Sequence, residues 1–279
     1  MADEFTPKRA ELQDARAYAE LSSKFTQGIA EKAIDLFFPK AESLVIHDNG
    51  CGTGEVTRAI LARSSVPSLT IKANDNDPLY VEAYAAAAKS NGWPAETFNM
   101  SADALDFEDN TFDISFANFV VFLIPDDGVP ALREMHRTLK PGGTAIYTAW
   151  QLLPVFEPVQ KATLATRGPN GPLLRTLPPI WQSGEFLAGL AAKAGFEKDN
   201  VRLETLSNKV PIKDIREFAE NTWSRLGRPL TGWLQGDEES WDAAVDAFLE
   251  FCEASDSYER LENGEWLIEV RANVVFATK

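Results

Sequence analysis

The chain has 279 residues, 44% hydrophobic, 10% aromatic and 25% charged, a composition that buries a substantial core and excludes a fibre or a disordered tail. Twenty-seven Lys plus Arg against 42 Asp plus Glu leave a net charge of −15, which repels phosphate backbones and anionic lipid, so neither nucleic acid nor a membrane surface is an expected partner. No apolar run exceeds six residues, as in Phe119 to Ile124, against the roughly 20 that span a bilayer, and the polar opening residues and two cysteines, Cys51 and Cys252, predict no secretory signal and a reducing, cytoplasmic setting.

Residues 11 to about 38 carry Ala15, Tyr18, Leu21, Phe25, Ile29, Ala33 and Phe37 at threes and fours, which predicts a helical cover over residues 1–42. Leu44 to His47 then reads as a strand that ends in Asp48-Asn49-Gly50-Cys51-Gly52-Thr53-Gly54, and a helical pattern starts with Val56, Ala59, Ile60 and Leu61. Thr70 to Ala73 is a second strand, closed by Asn74-Asp75-Asn76-Asp77, and Pro78 opens an Ala-rich helix. Thr97 to Met100, Phe112 to Ala117 and Thr144 to Trp150 supply three more strands, with a helix from about Gly128 to Leu139 that Pro141-Gly142-Gly143 is expected to end sharply.

Alternating strand and helix predicts an α/β fold, a doubly wound and mostly parallel seven-stranded sheet, because parallel neighbours need crossovers and helices supply them. A single domain is expected, with residues 43–150 as its core. Six of the sixteen prolines lie between Pro154 and Pro179, so residues 151–182 read as an irregular insertion placed as a lid. Residues 183–279 complete the sheet: a helix from Glu185 to Ala194, a strand from Val201 to Leu206, helices from Ile212 to Leu226 and Glu239 to Ala254, and a long final strand from Trp266 to Ala277.

Gly50-x-Gly52-x-Gly54 sits where a strand becomes a helix, where glycines let a ligand approach the backbone and the helix start offers unpaired N–H groups. A dinucleotide turn would place its third glycine one residue later, where Glu55 stands and disfavours a pyrophosphate. Asp75, 21 residues beyond Gly54 at a strand end, is placed to accept hydrogen bonds from both hydroxyls of a ribose, and Asp103 follows the third strand in the same way. Each has a structural alternative: Asp48 as a helix cap, Asp75 and Asp103 as turn formers. His47 should face away from whatever Asp48 faces, by strand alternation, and His136 lies on a helix remote from the strand ends, at the surface. Neither is an expected base, which leaves Glu157, Asp126 or Asp127 as the alternative bases. No metal-ligand spacing is visible.

Taken in order, Asp48-x-Gly50-x-Gly52-x-Gly54, Asp75, Ala102-Asp103-Ala104, Phe112-Asp113 and Glu134 to Leu139 with Lys140-Pro141-Gly142-Gly143 resemble the class I S-adenosylmethionine-dependent methyltransferases. The resemblance covers residues 44–150. It implies S-adenosyl-L-methionine as cofactor, held by Asp48, Asn49, Gly50, Gly52, Gly54, Asp75, Asn76, Ala102, Asp103, Ala104 and Asn118, with ribose at Asp75 and the adenine amine at Asp103. A narrower likeness, in the Asp48 to Gly52 turn and Thr148-Ala149-Trp150-Gln151, is to small fungal enzymes that methylate secondary metabolites, including the gliotoxin thiomethyltransferase branch. The substrate expected is a small, partly apolar metabolite bearing a thiol, amine or hydroxyl, in an aromatic pocket drawn from Tyr18, Phe25, Phe119, Trp150, Phe156 and Trp181, each of which has core packing as its alternative. The want of a histidine base favours a thiol or amine acceptor over an alcohol. A cofactor-binding protein without methyl transfer and a nicotinamide-dependent oxidoreductase are the other readings. The sequence does not settle the oligomeric state.

Overall fold

A computed structural model describes residues 15–171, 178–226 and 234–279, with side chains described for 23–171, 178–224 and 234–279. By their contacts these fall into two compact units, one formed by Ser22–Leu152, Pro178–Asn208 and Arg271–Lys279, the other by Leu153–Leu177, Lys209–Val270 and the chain before Ser22.

The first unit is built on parallel strands. Helix α1 (Ala15–Leu36) leads into β1 (Ser43–Asn49), the glycine turn and α2 (Glu55–Arg63); β2 (Ser68–Asp75), α3 (Pro78–Asn91), β3 (Ala95–Asn99), β4 (Phe112–Ala117), α4 (Val129–Thr138) and β5 (Leu139–Leu152) follow. Pro78 occupies the first turn of α3, where its missing N–H is not needed, and the Asp77 side chain caps that helix. Further on, α6 (Gly184–Ala194) precedes β6 (Val201–Ile212), and β8 (Trp266–Thr278) closes the chain. The sheet order is β3-β2-β1-β4-β5-β8-β6. The β1–β2, β1–β4, β2–β3 and β4–β5 pairs are parallel, whereas β8 lies antiparallel to β5.

Strand alternation sends side chains to two faces, and helices cover both. Leu44, Ile46, Ile71, Ile114, Phe116, Ile146, Val274 and Phe276 pack with Ile29, Ala33 and Ile34 of α1 and Val56, Ala59 and Ile60 of α2. Ala145, Tyr147, Ala149, Val275 and Ala277 face the other way, toward Leu132 and Met135 of α4 and Leu187 and Leu190 of α6. This burial on both faces explains why the strands read as nearly continuous apolar runs.

In the second unit α5 (Phe156–Arg167) packs on α9 (Trp241–Ala254), which also meets α7 (Ile215–Leu226), while α8 (Gln235–Glu239) abuts α5. Tyr258 of the short strand β7 (Tyr258–Arg260) donates its hydroxyl to the Pro154 carbonyl at 2.7 Å.

Three expectations need correction. Pro141-Gly142-Gly143 does not end a helix: α4 stops at Thr138, and the three residues lie inside β5 because Gly142 N–H and the Gly143 carbonyl pair with Lys279 at the end of the chain. The stretch read as irregular contains a regular helix, α5, over twelve of its residues, with Pro158 accommodated in its first turn. Among the described residues the sheet has eight strands, the seven expected and β7, which pairs with β8.

Candidate active site

The strand order reverses between β1 and β4, and in an open parallel sheet the crevice outside the carboxyl ends of the strands at such a reversal is where ligands bind. The glycine turn follows β1 and forms one lip; residues 118–121 follow β4 and form the other.

Gly50, Gly52 and Gly54 all have positive φ, at 72°, 52° and 94°. Two of them are also pressed for space. A Cβ on Gly50 would stand 2.5 Å from Val120 of the opposite lip, and one on Gly54 2.8 Å from the Trp93 ring, whereas Gly52 meets nothing closer than 3.6 Å. So Gly50 lets the lips meet, Gly54 lets α2 start against α3, and the Gly52 backbone is left approachable.

Asp75 ends β2 beside this turn. Its Oδ2 accepts the Gly52 N–H at 3.0 Å and its Oδ1 the Asp77 N–H at 3.1 Å. The carboxylate is half-buried, and its pKa is raised chiefly by that burial. Asp103 accepts a hydrogen bond from the Ser101 hydroxyl in the loop after β3, while Ala102 is buried in the core. Asp48 lies beneath the turn, 1% exposed, accepting from Thr57 Oγ1 at 2.8 Å, and Thr57 in turn meets the Tyr84 hydroxyl. Burial raises its pKa to about 7, with Glu55 and Asp75 adding to the rise and Thr57 opposing it. Glu55 is bound by the Thr53 hydroxyl and by Arg58 at 2.8 Å. Three carboxylates around one turn, answered by one guanidinium, make a setting for a cation and not for a diphosphate.

On the other face, His47 is fully buried, stacked on Phe112 with centroids 4.6 Å apart. Its Nε2 lies 2.6 Å from Asn74 Oδ1 and its Nδ1 2.9 Å from Ser115 Oγ. Asn74 also donates to Asn49 Oδ1 and to the Met100 carbonyl, and Asn49 donates to the Ala102 carbonyl. This network ties the ends of β1, β2 and β4 to the loop after β3, and it absorbs the polar atoms of Asn49. Burial pulls the His47 pKa down to about 4 against the Asn74 hydrogen bond, so the ring is neutral at pH 7. His136 is half-buried and edge-on to Phe196, a correction to the surface position expected. The Cys51 thiol is buried and held protonated by that burial and by Asp48, Asp75 and Glu55.

The neighbours His47 and Asp48 have opposite effects on acid stability. Between pH 4 and 6.5 the unfolded chain binds a proton that folded His47 does not, so this residue favours the folded state increasingly as pH rises. Between about pH 4 and 7 folded Asp48 holds a proton that the unfolded chain lacks, so its contribution falls as pH rises. Each amounts to about 3–4 kcal/mol. Asp48→Asn is therefore expected to unmask a climb in stability of about 3 kcal/mol from pH 4 to 6.5 relative to wild type, read from urea midpoints; a variant with the wild-type pH profile would contradict the assignment.

Beyond β4, Asn118 Nδ2 donates to the Thr26 carbonyl of α1 at 3.2 Å, and Asn118 Oδ1 accepts from Thr148 at 3.0 Å. Phe119 adopts φ 61°, a strained conformation for a non-glycine residue, fixed by its N–H bond to Thr148 Oγ1 at 2.8 Å and by stacking on Trp150 at 3.7 Å between centroids. Phe25 is buried, and Trp181 is buried edge-on to Phe122 and Phe186. Phe119 and Trp150 are thus brought together, and Trp181 joins a different cluster. Phe156 starts α5 in the second unit, and the Tyr18 side chain is outside the described residues.

Sequence reasoning did not mark Thr57, and it marked Thr148 and Gln151 only within the strand end that carries the narrower likeness, with no role for either side chain. Gln151 Oε1, next to Trp150 where the β5–β8 register shifts, is a buried acceptor with no hydrogen-bond partner among the described residues. A threonine or glutamine taken singly does not reveal which hydrogen bond its side chain makes or lacks.

Residues 46–143 match a family model described as a methyltransferase domain. The chain is 25% identical to methyltransferase tpcH of Aspergillus fumigatus over 74% of its own length and 75% of the relative's. It is 22% identical to methyltransferase ktnA of Aspergillus niger over 86% and 87%. Among solved structures, the YcgJ protein of Bacillus subtilis shares the fold with a TM-score of 0.52 at 18% identity, covering 91% of this chain and 98% of that one. The chain carries a methyltransferase domain of the class I, S-adenosylmethionine-dependent type, and S-adenosylmethionine is its cofactor. Among the described residues no helix is long and apolar enough to cross a membrane.

Proposed function

We propose that this methyltransferase acts on a small, partly apolar metabolite, as expected in secondary metabolism, and that its acceptor is a thiol or amine in preference to a hydroxyl. The observation that carries the reading is the half-buried Asp75 carboxylate beside an approachable Gly52 backbone at the β1/β4 crevice. Asp75 and Asn76 hold the ribose, Asp103 and Ala104 the adenine, and the Gly50, Gly52 and Gly54 backbone the methionine portion. Asp48 and Asn49 act from beneath, as supports for the turn. The cofactor supplies an electrophilic methyl on a sulfonium, whose charge disperses as the methyl leaves, so alignment carries much of the rate.

Neither histidine supports a base. Both ring nitrogens of His47 are engaged in the core, and His136 is on α4, away from the strand ends. An acceptor that ionises or deprotonates without help near neutral pH meets that condition, which favours a thiol or an amine. The Phe119–Trp150 stack offers an apolar wall, and Gln151 Oε1 an acceptor for the substrate's own N–H, S–H or O–H. Assays with panels of aryl and alkyl thiols, amines and phenols are expected to show transfer to thiols or amines, with a pH profile that follows the acceptor's own pKa. Transfer confined to hydroxyls, with an inflection that stays fixed across acceptors, would contradict the reading.

A further inference from the structure

The two lips of the crevice are bridged by consecutive residues of α1. The Thr26 carbonyl accepts from Asn118 Nδ2 on the β4 lip at 3.2 Å, and Gln27 Oε1 accepts from Arg58 Nε on the glycine lip at 3.2 Å. Arg58 is itself fixed to the turn, through Nη1 to the Thr53 carbonyl and Nη2 to Glu55, both at 2.8 Å. One residue of β6 pins the same stretch. Asn208 Nδ2 donates to the Lys24 carbonyl at 3.4 Å, and Gly28 comes so close that a Cβ there would stand 2.0 Å from Asn208 Nδ2.

Each of these attachments sits at one point. The carbonyls of Lys24 and Thr26 lie within a helix, so the asparagine bonds use their second lone pairs and break without unwinding α1. Below the stretch, Phe25, Ile29 and Ala30 are buried, which returns it to the same seat after opening.

We propose that residues 24–28 of α1 are a strap across the cofactor crevice that gates exchange of S-adenosylmethionine for its demethylated product, with Asn118 and Gln27 as the positioning residues that latch it. The proposal rests on the cofactor site assigned above.

The test is the kinetics of S-adenosylhomocysteine binding to the full chain, by stopped-flow fluorescence, in Asn118→Asp, Gln27→Ala and the double variant. Asn118→Asp replaces the donor to Thr26 by an oxygen that repels its carbonyl, yet still accepts from Thr148. Gln27 is half-buried and outside the core, so its variant carries the test should the first fail to fold. Dissociation is expected to quicken about fivefold for each latch and about 25-fold for both. Association quickens too, so affinity moves less than either rate, and the melting temperature stays near wild type; a loss of packing alone would lower affinity and melting temperature together. Wild-type rates in the variants that fold would overturn the strap. No binding by the unaltered protein would overturn the cofactor site instead.

Discussion

Asp75→Ala is expected to weaken S-adenosylmethionine binding by about 100-fold or more while leaving the protein folded. A ribose diol held by one carboxylate makes two charge-assisted hydrogen bonds, each worth about 1.5–3 kcal/mol, and about 1.4 kcal/mol is tenfold in affinity. The same carboxylate holds the Gly52 N–H, so its removal also loosens the glycine turn on the ligand side. The cost to folding is small, because Asp75 is half-buried and water replaces it at the Gly52 and Asp77 N–H groups. Asp75→Asn separates the two effects: its amide oxygen still accepts from Gly52, but it has lost the charge and one acceptor. Calorimetry with the two variants should rank Ala below Asn and both far below wild type. Unchanged affinity in Asp75→Ala would reject the ribose assignment.

The largest effect on stability is expected at Asp237, in the second unit. Its carboxylate is fully buried and pairs with Arg167, which is 4% exposed. It also accepts from Thr166 Oγ1 at 2.7 Å and from the Leu234 N–H at 2.8 Å. Burial pushes this carboxyl upward, but the Arg167 and Thr166 bonds outweigh it and hold the pKa below the usual range. Asp237→Ala would take this carboxylate away from a buried guanidinium, and breaking such a pair from one side costs about 3–5 kcal/mol. Urea denaturation followed by tryptophan fluorescence reads the loss, with Trp223 and Trp241 of this unit among the seven tryptophans that contribute. A loss below 1 kcal/mol would show that solvent reaches the pair and screens it.

Much of the first unit was legible because its signals are local. The glycine turn between a short apolar run and a helical pattern fixed β1 and α2, and Pro78 after an Asx cluster fixed α3, since a proline at a helix start and glycines at a ligand-facing turn each have one cheap conformation. Alternation alone set His47 and Asp48 on opposite faces, where the structure has them. The misread elements depend on partners distant in sequence. Pro141-Gly142-Gly143 has a breaker's composition, and only the pairing with Lys279 draws it into a strand. The prolines of residues 154–158 read as irregular because a window cannot show that Pro158 falls in a first turn. Three residues, Tyr258–Arg260, are too few to carry a period. At the site the glycines and Asp75 were visible as types at a spacing. Asn118 shows the limit: the resemblance marked it as a cofactor contact, but its bonds, accepted from Thr148 and donated to the Thr26 carbonyl of α1, involve partners distant in sequence.

The most direct test of the central claim is calorimetric titration of the purified protein with S-adenosylmethionine and then with S-adenosylhomocysteine. Micromolar binding of both at one site per chain, lost in Asp75→Ala, is the predicted result; no heat from either ligand would contradict the cofactor site and leave the glycine turn as scaffolding.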